Sequence, residues 1–152
     1  MITGLIAAFS MPKVEKRIDN FATGKEKRMC EGLAYIGEGF ANRARDIRTY
    51  EDRTSNLRGS IAYDVVKNGK TFASDYSGGG NGDEDAKYYA KKAVDDVIFE
   101  NSLDTDNRIW LIGVAGMEYA AAVESKGYDV ITASVPEDTD VKSFLTESEL
   151  ID

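Results

Sequence analysis

Four groups of acidic residues have the types and spacing that could do chemistry: Asp83/Glu84/Asp85, Asp95/Asp96, Asp104/Asp106 and Glu137/Asp138. Two adjacent carboxylates can act as an acid and its base, or hold a calcium ion. The stretch "DTDN" (Asp104 to Asn107) opens like a calcium loop, but the glycine and the closing glutamate of such a loop are absent. All four groups fall in loops or on polar helix faces, where solvation accounts for them. Tyr88, Tyr89, Trp110, Tyr119 and Tyr128 could line a ligand pocket, although their spacings suit core and interface better. The loop "SGGGNGDED" holds four glycines between Gly78 and Gly82, but no Lys-Ser/Thr follows. Asp83, Glu84 and Asp85 would repel a phosphate there. A flexible linker between hairpin and helix is the expectation.

The missing residues say more than those present. The 152-residue chain has no histidine, so the commonest general base and metal ligand is lacking. Ser–His and Cys–His nucleophile systems are excluded. Cys30 is the only cysteine, which rules out an internal disulfide and a cysteine-built zinc site. No catalytic residue, metal site or cofactor is expected. The net charge of −8 argues against a general nucleic-acid-binding surface, which needs clustered Lys and Arg. With 42% hydrophobic and 30% charged residues the chain is of folded, soluble composition. Its length suits one domain, residues 1–152.

At the N-terminus, "MITGLIAAFSM" lacks the basic start of a signal peptide, and its apolar run is interrupted by Thr3 and Gly4. No window approaches the roughly 18 apolar residues of a spanning helix. Residues 1–19 read as a start strand or docking arm, and the chain is expected to stay in the cytosol and off the membrane.

The elements that would position these groups follow from periodicity. Met29, Leu33, Ile36, Phe40 and Ala44 lie on one face of a helix expected over Asn20–Ile47. Gly32, Gly37 and Gly39 would each cost about 1 kcal/mol in its interior unless another element packs closely there. Thr54 and Ser55 can cap a helical turn carrying Leu57. Ile61, Tyr63 and Val65 then alternate with Ala62 and Asp64, and Asn68-Gly69 gives a strong hairpin signal, pairing roughly 61–67 with 70–76. Asp83 can cap a second helix to Glu100, with Ala86, Tyr89, Ala93 and Val97 on one face. "RIWLIGV" (Arg108 to Val114) reads as a buried central strand. "MEYAAAVESKG" reads as a short helix closed by Gly127. "YDVITAS" reads as another strand, stopped by Pro136. The tail 136–152 can form a terminal helix on Val141, Phe144 and Leu145. The expected fold is α+β: one mainly antiparallel sheet packed against the long N-terminal helix and the second helix, with helices on the one covered face.

Two short motifs remain. "TSNLRGSI" (Thr54 to Ile61) resembles the Thr-Gly-x-Leu-Arg-x-Ser-Ile signature of the small tail-completion and head–tail joining proteins of siphophages. "EYAAAVESKGYDVI" (Glu118 to Ile131) is similar to that family's second signature, a Tyr-Ala pair followed by an aliphatic-Glu-x-Gly block. The resemblance covers roughly residues 20–135. Ser55 stands where the family has glycine, Ser125-Lys126 lengthens the Glu-x-Gly spacing by one, and nothing after Pro136 has a counterpart.

The resemblance implies a non-enzymatic virion component made in the host bacterial cytoplasm. It would form a ring, hexameric as in tail terminators, between head connector and tail tube. Its partners would be other neck and tail proteins, with DNA passing through without specific binding. Asn56, Leu57, Arg58, Tyr119 and Glu124 are the candidate subunit-interface residues, with Arg58 and Glu124 as polar partners within or between subunits. The alternative within one subunit is internal packing, with Leu57 and Tyr119 in the core and Arg58 and Glu124 in a local ion pair. The alternative function is a small ligand-binding or adaptor domain of a bacterial protein, using an acidic interaction surface.

Overall fold

A computed structural model describes residues 11–47, 49–80 and 82–147, with side chains from Thr23 onward. In chain order the elements are helix α1 (Met11–Asp46), the short helix α2 (Asn56–Gly59), strands β1 (Ile61–Lys67) and β2 (Lys70–Asp75), and a 3-10 turn at Gly78–Gly80. Then come helix α3 (Glu84–Glu100), strand β3 (Ile109–Ala115), helix α4 (Ala120–Ser125), a second 3-10 turn at Thr132–Ser134, and helix α5 (Asp138–Glu147). The fold is α+β, with one antiparallel sheet between the long N-terminal helix and α3.

Helix α1 starts earlier than its expected boundary, so residues 11–19 are helical rather than a strand or arm. Val14, Ile18 and Phe21 continue the helical spacing in that stretch, and Pro12 is tolerated in a first turn because its missing N–H has no partner to lose. Residues 1–10, and with them the rest of the expected arm, lie outside the described residues. The face that α1 buries is centred on Cys30, Gly37, Phe40, Ala41 and Ala44, while Met29, Leu33 and Ile36 are half-buried on its flank. Gly37 marks the centre of contact: a Cβ there would lie 2.5 Å from the Tyr63 ring. That glycine is tolerated in a helix interior because β1 packs directly on it.

The sheet has the order β2-β1-β3, and both pairings are antiparallel. The β1–β2 turn is the expected one, with Asn68 at φ 52° and Gly69 at φ 70°, as a two-residue hairpin turn of this kind requires. Strand β1 is the central strand. Ile61, Tyr63 and Val65 pack with Phe40, Ala41 and Ala44 of α1, whereas Ala62 and Val66 pack with Ala90 and Val94 of α3. Both faces of the sheet are therefore covered, not one. Ala62 and Asp64 looked like a solvent face because one is small and the other acidic.

Strand β3 is an edge, not the centre, since among the described residues only β1 pairs with it. The segment "YDVITAS" is not a strand; it forms the 3-10 turn at Thr132–Ser134. Helix α3 is capped as expected, Asp83 accepting the amides of Asp85 and Ala86 at 3.0 and 3.2 Å. Its buried face is Ala86, Ala90 and Val94, with Tyr89, Ala93 and Val97 beside it. Helix α5 buries no residue and rests on α1 through Phe144 stacked on Tyr35, ring centroids 5.4 Å apart. Among the described residues, no helix is long and apolar enough to cross a membrane.

One carboxyl sits inside, among the described residues. Asp64 is fully buried in mid-strand; its Oδ2 accepts from Tyr76 Oη at 2.6 Å and Thr71 Oγ1 at 3.0 Å. Its Oδ1 has no hydrogen-bond partner among the described residues. Burial raises this carboxyl above its ordinary value, against the two hydrogen bonds and the Lys91 charge, which lower it; Asp95 adds a smaller push upward. A carboxyl raised in the folded chain favours folding below its unfolded value, and that contribution is lost as pH rises through the folded value. Asp64→Asn, whose amide can keep both bonds, should therefore gain stability over the wild type as pH rises from acid to neutral. Urea melts at a series of pH values read this directly. A gap between the two chains that stays flat or shrinks with pH would mean that Asp64 ionises without penalty.

Candidate functional site

The segment after α1 folds into a corner that gathers the candidate residues. Ser55 adopts the left-handed conformation, φ 59° and ψ 8°, and its carbonyl accepts the Gly59 amide at 2.8 Å. Its side chain does not cap α2. That role falls to Asp52, whose Oδ2 accepts the Arg58 amide at 2.8 Å, while the Asn56 amide reaches Thr54 Oγ1 at a longer 3.4 Å. The reason is geometric: a left-handed Ser55 turns its side chain away from the free amides of the first turn.

Leu57 is 2% exposed and shares a cluster with Tyr50, Ala120 and Val130. Arg58 closes over the same chain segment. Its Nη2 donates to the carbonyls of Ile47 and Tyr50 at 3.0 and 3.3 Å, and its guanidinium lies 4.9 Å from the centre of the Tyr50 ring. Asn56 is half-buried and braces the start of α3, its Oδ1 accepting the Asp83 amide at 3.2 Å. Ser60 then ties the corner to the end of β3. Its carbonyl accepts the Gly116 amide at 3.0 Å and its hydroxyl accepts the Met117 amide at 3.2 Å.

The second motif meets the first through this tie. Ala120 opens α4 inside the Leu57 cluster. Glu124, at the end of α4, accepts the amides of Val130, Ile131 and Thr132 on one oxygen, at 3.2, 2.9 and 3.2 Å, and both its oxygens accept from Thr132 Oγ1. Burial alone would raise the Glu124 carboxyl, but these bonds outweigh it and hold it below its ordinary value. Asp129 accepts the Ala133 amide at 3.1 Å. Amides held by two carboxylates cannot serve a β-ladder, which is why 128–134 is not a strand.

Of the five candidate residues, Tyr119 alone is exposed, at 41%. It does not sit in the core. Arg58 and Glu124 each have their own backbone partners, and neither appears in an ion pair among the described residues. Arg58→Glu should accordingly lower the stability of the chain by about 1–3 kcal/mol, because it removes two hydrogen bonds from a charged donor and sets a carboxylate against the carbonyl oxygens that accepted them. Unchanged stability would instead show that these bonds do not hold the corner and leave Arg58 available to another chain.

The glycine loop belongs to this corner and is not an open linker. Gly78 at φ 65° presses its backbone on Gly59, and Gly79 lies beside Arg45. Arg45 is buried, donating to Asp75 Oδ2 at 2.9 Å and to the Ile61 carbonyl at 2.8 Å. Sequence reading missed Tyr50, Asp52, Ser60 and Arg45 as corner residues. The one available signal was the polar composition of 48–60, which does not say which side chain takes which backbone group.

The acidic groups do not converge. Asp83 caps α3, Asp95 pairs with Lys91 at 2.8 Å, Asp96 with Lys92 at 3.7 Å, and Asp106 with Arg108 at 2.7 Å. No cluster that could hold a metal ion occurs among the described residues. The aromatics do not form a common pocket either: Tyr88 and Tyr89 contact each other on α3, while Trp110 packs beneath α3 from β3. A cleft of about 750 Å³ lies between α1 and residues 133–141, with Tyr35, Asn42, Arg43 and Asp140 among its walls. None of these residues forms a nucleophile–base pair. Compared with protein families, with curated proteins and with solved structures, the chain matches none.

Proposed function

We propose that the chain is a non-enzymatic structural subunit of a phage or prophage virion, acting in head–tail joining or tail completion as part of a hexameric ring. The observation that carries this reading is the meeting of the two signature segments. Ser60 of the first binds the backbone of Gly116 and Met117, directly ahead of the second, and Leu57 and Ala120 share one cluster. Two motifs distant in sequence and joined in space have a shared structural reason to occur together.

The departures from the family pattern fit as well. Ser55 has positive φ at the position where the family has glycine, so the backbone keeps the shape that glycine favours. The extra residue after Glu124 is absorbed at the end of α4, where Lys126 and Gly127 bond back to Val123 and Glu124. Because Leu57, Arg58 and Glu124 are engaged within the subunit, ring contacts in this reading fall to Tyr119 and the exposed side of α4, braced from behind by the corner. The subunit would act in the virion neck or tail, beside other neck and tail proteins.

Deleting the coding segment from the phage or inducible prophage tests the reading. Filled heads and unjoined or irregular tails are the expected products in electron micrographs of the lysate. Virions of normal form and infectivity would overturn it.

A further inference from the structure

We infer that β3 is a self-association edge, pairing antiparallel with β3 of a second copy about a two-fold axis at Ile112. Among the described residues no strand covers its outer side. An open edge offers a row of N–H and C=O groups to any other chain, and folded proteins usually guard it with charge, proline or a bulge. The other edge is guarded: β2 begins with Lys70, ends with Asp75, and lies across a register shift at Val65/Val66. On β3 there is no such guard. Ile109 to Met117 is nine residues without a charge or a proline, the longest uncharged run among the described residues. In a chain of net charge −8, this is the path along which two copies meet with least repulsion.

The second copy, rather than a foreign strand, is favoured by shape. Gly113 has no side chain, and a Cβ there would lie 2.7 Å from the Phe40 ring. Beside it opens an apolar cleft of about 180 Å³, walled by Phe40, Leu111, Gly113, Ile131, Val135 and Pro136. The segment expected as a further strand, with Val135 and Pro136 after it, forms the far wall of this cleft, its amides held by Glu124 and Asp129. Antiparallel pairing centred on Ile112 sets Leu111 of each copy opposite Gly113 of the other. Leu111 of each copy, half-buried on its own core, then lies along the mouth of its mate's cleft, and the symmetry repeats the contact. The result is one continuous sheet across two subunits. This pairing is independent of the ring reading, whose contacts are head-to-tail.

Sedimentation equilibrium of the purified full chain, with amide exchange at low and high concentration, tests the pairing. The wild type should pass from monomer to dimer, and amides within Ile109–Ala115 should slow as concentration rises while those of β2 do not. Val135→Glu, at a position 57% exposed and so tolerant in the folded subunit, should weaken the dimer about tenfold or more. A monomer at every concentration would overturn the inference. So would a dimer indifferent to Val135→Glu, or larger oligomers in which the β2 amides become protected.

Discussion

Leu57→Ala should lower the unfolding free energy by about 2–5 kcal/mol, the range for a leucine removed from a packed site. The residue is 2% exposed and its neighbours come from three separate stretches: Tyr50, Ala120 and Val130. The cavity left behind cannot collapse easily, because Arg58 holds the Tyr50 segment and Glu124 holds the Val130 segment at fixed positions. Tyr119→Ala, on the exposed side of the same corner, should change stability by only about 0.5 kcal/mol. Urea unfolding of both variants reads the contrast. A loss below about 1 kcal/mol for Leu57→Ala would show that the two motifs are not packed on each other.

Gly78→Ala should be of similar size, for a different reason. At φ 65° an alanine carries about 1–2 kcal/mol of backbone strain. Its Cβ would also lie 2.6 Å from the Gly59 carbonyl oxygen, a contact with backbone that cannot rotate away. Overpacking of that kind adds about 1–3 kcal/mol. Gly80→Ala is the control: it shares a positive φ of 83° but a Cβ there meets nothing. The difference between the two variants isolates the contact between the loop and the corner. Equal losses would mean that the loop does not rest on Gly59.

Elements whose boundaries are written in local chemistry were legible in the sequence. Asn68-Gly69 fixed a hairpin, Asp83 a helix start and Gly127 a helix end, because each works through backbone groups a few residues away. What depends on distant partners was not legible. The apolar run of β3 told of burial but not of which strand lies beside it, so an edge read as a centre. In "YDVITAS" the alternation was sound as a pattern, yet Glu124 and Asp129 bind the amides that a ladder would need. Asp64 hid the second covered face of the sheet, since nothing in the sequence says that Tyr76 and Thr71 would meet its carboxylate. At the candidate site, Leu57 and Glu124 were singled out for a subunit interface, and both have partners within the chain, Leu57 in an apolar cluster and Glu124 on the amides of 130–132. The structure adds where each is anchored within the subunit.

We propose that this chain is a virion component at the junction of head and tail. Immunogold labelling of purified virions with an antibody against the chain tests it most directly. Label confined to the neck or the head-proximal end of the tail is expected, with the chain retained through density-gradient purification. Virions free of the chain, with all of it left in the soluble fraction of the lysate, would contradict it.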